Sequence, residues 1–217
     1  MRFTTLALVG VAVAAPVAQV DLGSLLGGLT GGTGGAGGLG GLDLNALAGA
    51  FLGGGSGPTG DVNVILTQYG NIKEKVEAQD AFVKGLLDKA PADLIAKLDK
   101  FGADQVEALK AAAKAVDGMA GPLDLMGATG LQGPGGDLTI ATQTSIDDLK
   151  KAAPIIVKVA GAKDAQLKNL NAMLEATKAF NEAVNKKIPA FALAIAQGES
   201  QKSVDYLTDA ISVFTAA

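Results

Sequence analysis

Asp137, Asp147 and Asp148, with Lys150 and Lys151 close by, are the side chains of this 217-residue chain best suited to acid–base chemistry. A pair of carboxylates can serve as acid and base when burial drives their pKa values apart. Asp147 and Asp148 are sequence neighbours at the start of what reads as a helix. They therefore leave it on different sides, and their charge suits the positive end of the helix dipole. The structural reading outweighs the catalytic one. Other chemistries lack their parts. The chain has no Cys and no His, which removes zinc sites, haem attachment, thiol chemistry and any nucleophile–imidazole engine. The glycines between 121 and 141 are not followed by Gly-Lys-Ser/Thr, so they form no phosphate loop. A net charge of −4 and the absence of Trp argue against a nucleic-acid partner, which calls for a basic patch and stacking aromatics. The expectation is a protein that is not an enzyme and carries no cofactor and no metal.

What remains is apolar chemistry, and the elements that present it divide sharply. Residues 21–60 hold 17 of the 30 Gly and only two charges, Asp21 and Asp43. Residues 61–217 carry 17 Lys and 20 acidic residues, the ordinary density for a globular domain of a size that buries a real core. Ahead of both, Arg2, the apolar run Leu6 to Val13 and the small residues Ala12-Val13-Ala14 make a secretory signal pattern over 1–14. That run is too short to span a bilayer, and no other stretch is long and apolar enough. The expected product is secreted, to the medium or the cell wall, with no transmembrane segment. Residues 15–60 read as a disordered Gly/Leu-rich linker, since Gly costs the most backbone entropy to order. Their repeated leucines, as in Leu25-Leu26-Gly27-Gly28-Leu29, leave a sticky arm that adsorbs to wall polymers or to itself as the alternative.

From Asp61 onward the apolar period is helical. Val62, Ile65, Tyr69, Ile72, Val76, Val83 and Leu86 follow three- and four-residue steps, with Gln79 in one slot, until Pro91 stops the helix. Lys73/Glu77, Asp80/Lys84 and Lys84/Asp88 pair along its wet face. A second helix is predicted over about 93–119, with Gly102 as a weak point, and a third over about 144–159, kinked at Pro154. A fourth spans about 163–187, with Lys178/Glu182 and Glu182/Lys186 on its wet face. A fifth opens at Pro189 and weakens at Gly198. Residues 121–141 read as a long loop. No segment alternates with the period of a strand. The fold class is all-α: an antiparallel four- or five-helix bundle over 61–217, behind the Gly-rich leader.

The segment Ala183-Val184-Asn185-Lys186-Lys187-Ile188-Pro189, the amphipathic tail Thr208-Asp209-Ala210-Ile211-Ser212-Val213-Phe214 and the aliphatic opening helix Val62–Val83 resemble the fungal hydrophobic surface-binding protein A family, which includes cell wall galactomannoproteins. The resemblance covers roughly 61–217. It implies a secreted helical bundle that binds hydrophobic surfaces, or fatty-acid-like lipids within the bundle. The chain departs from that pattern in its Gly/Leu leader, its Gly-rich 121–141 segment and its lack of an Asn-x-Ser/Thr sequon.

Stripes that mix Ala with larger aliphatics can leave a tunnel between helices, a common site for ligands. The expected lipid-binding residues are Ile65, Tyr69, Ile72, Val76, Met173, Phe180, Ile195, Leu207 and Ile211. Leu123 and Met126, apolar residues among glycines, are expected to form a lid, with a core cap as the alternative. Against the lipid cavity stands a structural or interfacial amphipathic wall protein with no defined small-molecule ligand. Saturable one-to-one uptake separates the first from the second.

Overall fold

The computed structural model describes residues 60–87 and 89–217. The signal segment 1–14, all of the linker 15–60 except Gly60, and the Lys84/Asp88 pair therefore lie outside the described residues. The described chain forms five long helices and one short one: α1 Val62–Leu86, α2 Leu94–Asp117, α3 Leu125–Gly130, α4 Gln132–Ile156, α5 Ala162–Asn185 and α6 Ala190–Ala216. It contains no strand among these residues, and none of the helices is long and apolar enough to cross a membrane.

Several helix ends have a local cause. The Asp61 carboxylate accepts a hydrogen bond from the Asn63 backbone N–H at 2.9 Å, and Asp124 accepts one from Gly127 at 2.7 Å. Both satisfy donors that a helix N-terminus leaves unpaired. Gly161 takes φ 82°, a left-handed turn that favours glycine, to reverse the chain between α4 and α5. Pro189 sits just ahead of α6 in extended conformation, which starts the helix without losing a helical N–H.

Successive long helices reverse direction, and they close into a ring in which α1 touches α2 and α4, α5 touches α2 and α6, and α6 also touches α4. Some neighbours across the ring therefore run parallel. Tyr69 lies beside Gly135, and fifteen positions further along α1 Lys84 pairs with Asp148, so α1 and α4 advance together. On α2 the buried positions Leu94, Leu98, Gly102, Gln105, Leu109, Ala112 and Val116 form one face. Gly102 lets α5 approach closely, because a Cβ there would stand 2.6–2.9 Å from the Asn169 side chain. The Asn169 amide uses that proximity to donate to the Leu98 carbonyl at 3.0 Å. Gln79, the polar residue in the α1 stripe, is buried and accepts a hydrogen bond from Gln105, so its burial is compensated.

The core forms two clusters along the ring. One holds Ile65, Ile72, Val76, Leu109, Leu123, Leu131, Phe180 and Val184. The other holds Val83, Leu86, Leu98, Leu149, Ile156, Leu170, Leu207 and Phe214. Each fully buried large aliphatic contributes about 1.5–3 kcal/mol of hydrophobic free energy.

The segment read as a loop over 121–141 is helical from Leu125 onward, and the helix expected from Thr144 begins at Gln132. Pro134 is compatible because it falls in the first turn, where no N–H is required. The hydroxyls of Thr139, Thr142 and Thr144 donate to carbonyls one turn back. Packing against α1 supplies what helix propensity lacks. Neither Gly102 nor Gly198 interrupts its helix, and Pro154 falls in the last turn of α4. Lys73/Glu77, Asp80/Lys84 and Glu182/Lys186 pair at 3.8, 2.6 and 2.9 Å, whereas Lys178 pairs with Glu175 instead of Glu182.

Candidate functional site

The amino-terminal halves of α4 and α6 both line a cavity of about 140 Å³. Their carboxy-terminal halves meet. Tyr206 donates to Gln143 at 3.2 Å, Lys150 bridges to Asp209 at 2.7 Å, and Leu207, Ala210 and Phe214 join Ile146, Leu149 and Ile156 in one apolar cluster. The cavity thus lies at the end of the bundle that holds α3.

Every helix contributes to its wall. Tyr69, Ile72 and Val76 come from α1, Gln105 and Leu109 from α2, and Ala128 from α3. Gln132, Gly135, Gly136, Leu138, Thr139 and Thr142 come from α4, following Leu131. Met173, Thr177, Phe180, Asn181 and Val184 belong to α5, with Ile188 just beyond it. Ala192, Ile195, Ala196, Glu199, Ser200, Ser203 and Leu207 complete the wall from α6. Phe180 packs edge-on to Tyr69 with ring centroids 5.9 Å apart. Burial pushes the Tyr69 hydroxyl up to about 12, so it remains a neutral donor throughout the physiological range.

The wall is mostly apolar with a few convergent neutral polar groups, the usual make-up of a small-molecule site, and one carboxylate, Glu199, paired with Lys202 at 2.6 Å. It carries no Lys and no Arg. Thr139 and Thr142 spend their hydroxyl protons on their own helix, and the Asn181 amide donates to the Ser200 carbonyl at 3.0 Å. Thr177, Ser200 and Ser203 add further hydroxyls.

Of the residues expected to contact lipid, Tyr69, Ile72, Val76, Met173, Phe180, Ile195 and Leu207 line this one cavity. Ile65 is buried in the first core cluster instead, and Ile211 packs half-buried against the second. The two residues expected to form a lid separate. Leu123 is 3% exposed, and its N–H donates to the Lys187 carbonyl at 2.7 Å, which fixes it in the core. Met126 on α3 is 79% exposed. Reading from sequence missed the whole α4 wall, because a segment taken for a loop presents no face. It also passed over Leu109, Thr177 and Val184. Leu109 and Val184 were legible as stripe residues, but nothing in the spacing distinguishes a cavity-facing position from a filled one.

None of the carboxylates weighed for catalysis lines this cavity, and Asp147 and Asp148 are tied to lysines. Asp148 is 2.5 Å from Lys151 and 3.6 Å from Lys84, and Asp147 is 3.0 Å from Lys150. The Lys151 hydrogen bond and charge, joined by Lys84, hold the Asp148 carboxyl below its ordinary value against the opposing effect of desolvation. Its folded-state pKa is depressed, so its stabilisation is complete above the ordinary carboxylate value and is lost as pH falls through the lowered one. Asp148→Asn should therefore flatten the acid limb of the melting temperature below about pH 4 relative to the native chain. Parallel acid limbs for the two proteins would show that the ion pair does not support the fold.

No protein-family model matches the sequence, and no curated protein matches it. Solved structures do share the fold. Ligand-binding domain 2 of the Penicillium marneffei MP1 protein, complexed with multiple arachidonic acids, superposes with a TM-score of 0.65 at 21% identity, over 72% of this chain and 97% of that one. Domain 1 of the same protein, complexed with arachidonic acids, gives 0.64 at 21% identity over 70% and 97%. Afmp4p in complex with palmitic acid gives 0.63 at 20% identity over 71% and 99%.

Proposed function

We propose that this chain is a secreted, non-enzymatic binder of fatty-acid-like lipids, akin to the fungal surface-binding and galactomannoprotein family, that takes the acyl chain into the cavity between α4 and α6. The observation that carries this reading is the apolar, cation-free cavity formed by all of the helices at one end of the ring. The fold it shares with domains solved with arachidonic and palmitic acids supports the same choice of ligand.

The cavity volume of about 140 Å³ is smaller than the roughly 300 Å³ at which drug-sized sites begin, so the wall must yield to a lipid. The wall that can yield is α6. Its fully buried residues, Leu207, Ala210 and Phe214, all lie in its second half, and Ile195 on the cavity side is 55% exposed. The first half of α6 can then swing outward while its end stays anchored. Leu123, fixed in the core, serves better as a cap on the bundle end than as a moving lid. Met126 remains available to the edge of the opening.

Without a Lys or Arg in the wall, the headgroup must be met by neutral donors such as Tyr69, Thr177, Ser200 and Ser203. Affinity for a fatty acid should then be saturable and change by less than about threefold between low and high salt, since the wall offers the carboxylate no Lys or Arg and its own Glu199 is already paired with Lys202 at 2.6 Å. Titration of a fluorescent fatty acid at both ionic strengths tests this. A steep loss of affinity with salt would place the headgroup on a surface lysine and the site elsewhere.

Exposed Phe191 and Ile195 on the same half-helix favour a second reading, in which α6 lifts to coat a hydrophobic surface. Loss of bundle packing at an air–water interface without stoichiometric uptake would favour that coat. Cell-wall polymers remain a further partner class for the leader.

A further inference from the structure

Two residues that line the cavity belong to the second half of the core. Met173 on α5 and Leu207 on α6 line the cavity, yet they are members of the second apolar cluster, whereas Tyr69, Ile72, Leu109 and Phe180 belong to the first. The antiparallel run of α5 and α6 brings the two to one level. The Asn181–Ser200 hydrogen bond ties the helices, and about two turns from it along α5 and α6 lie Met173 and Leu207. Both are buried. Behind them stand Leu149, Leu170, Ala210 and Phe214, all fully buried. The floor is therefore a partition between the cavity and the apolar core. Space opened there would be apolar and continuous with the site.

We propose that Met173 and Leu207 set the length of acyl chain the cavity accepts. This rests on the lipid reading above and adds to it a specificity determinant. Each methylene buried strengthens binding about fourfold, so a chain gains from lengthening until its end meets the floor. Past that point an added carbon must be accommodated by strain or by exposure at the mouth, and the gain is lost. Met173 is unbranched and adaptable, so it can tune that limit by its rotamer, while the branched Leu207 fixes it. Shortening either residue moves the limit toward Leu170 and Phe214, and enlarging Met173 moves it toward Thr177.

The test is competition by saturated fatty acids of about ten to about twenty-two carbons against a bound fluorescent fatty acid, on the native chain and on Leu207→Ala, Met173→Ala and Met173→Phe. Circular dichroism establishes that each variant scored retains native helix content. The expected result is an optimum that moves longer by about two carbons in Leu207→Ala and Met173→Ala, and shorter in Met173→Phe. Opposite shifts from opposite changes of volume are not what a general loss of packing produces. Uniform weakening at every length with the optimum unmoved would overturn the floor while leaving lipid binding intact. Failure of any fatty acid to compete on the native chain, with no uptake of the probe, would overturn the lipid reading and the floor with it.

Discussion

Palmitate at about a hundredfold excess over its dissociation constant should raise the melting temperature of this protein by roughly 5–10 °C. A ligand that binds only the folded state stabilises it by about 2.7 kcal/mol at that excess. For a domain of 150–250 residues, each kcal/mol shifts the midpoint by about 2–4 °C. The described bundle falls in that size class. The size of the shift depends on saturation and not on the details of the contacts, which makes it a robust readout of binding. Differential scanning fluorimetry with a palmitate titration and a short-chain control measures it. A flat midpoint at saturating palmitate would rule out a site that distinguishes folded from unfolded chain.

The second large effect lies at the opposite end of the bundle. Phe214 is fully buried among Leu149, Ile156, Leu170 and Ala210. It anchors the only part of α6 with fully buried residues. Phe214→Ala should cost about 3–5 kcal/mol, from lost transfer free energy and the cavity left behind. The midpoint should then fall by on the order of 10 °C. Because Phe214 does not line the cavity, the affinity of the remaining folded protein for lipid should change far less than its stability. Denaturant unfolding and equilibrium binding on the same variant separate the two quantities. A stability loss under about 1 kcal/mol would show that the α6 anchor lies elsewhere.

Much of this arrangement is legible from residue spacing. The three- and four-residue steps of Val62, Ile65, Tyr69, Ile72 and Val76 lead directly to α1, and Pro189 marks the start of α6. The segment after Gly121 is not legible in the same way. Gly127, Gly130, Gly133, Pro134, Gly135 and Gly136 signal loop by local propensity, yet Pro134 falls where a helix tolerates it and α1 supplies the packing. That misreading hid one wall of the cavity. Ile65 and Ile211 show the converse difficulty. They lie in the same stripes as Ile72 and Leu207, but spacing reports which face is apolar and not whether the space opposite is filled. Met173 and Leu207 look like ordinary core in sequence, and only the geometry reveals that the cavity ends on them.

Native mass spectrometry of the purified full chain beside Ala196→Trp measures the central assignment most directly. Ala196 lines the cavity from the half of α6 that has no fully buried residue. An indole there fills the cavity and disturbs little of the fold. The native chain should carry fatty-acid-like lipid at defined mass and stoichiometry, and the variant, with native helix content, should carry none. Lipid retained by Ala196→Trp at native stoichiometry, or a native chain that stays lipid-free in excess palmitate, would contradict an acyl site between α4 and α6.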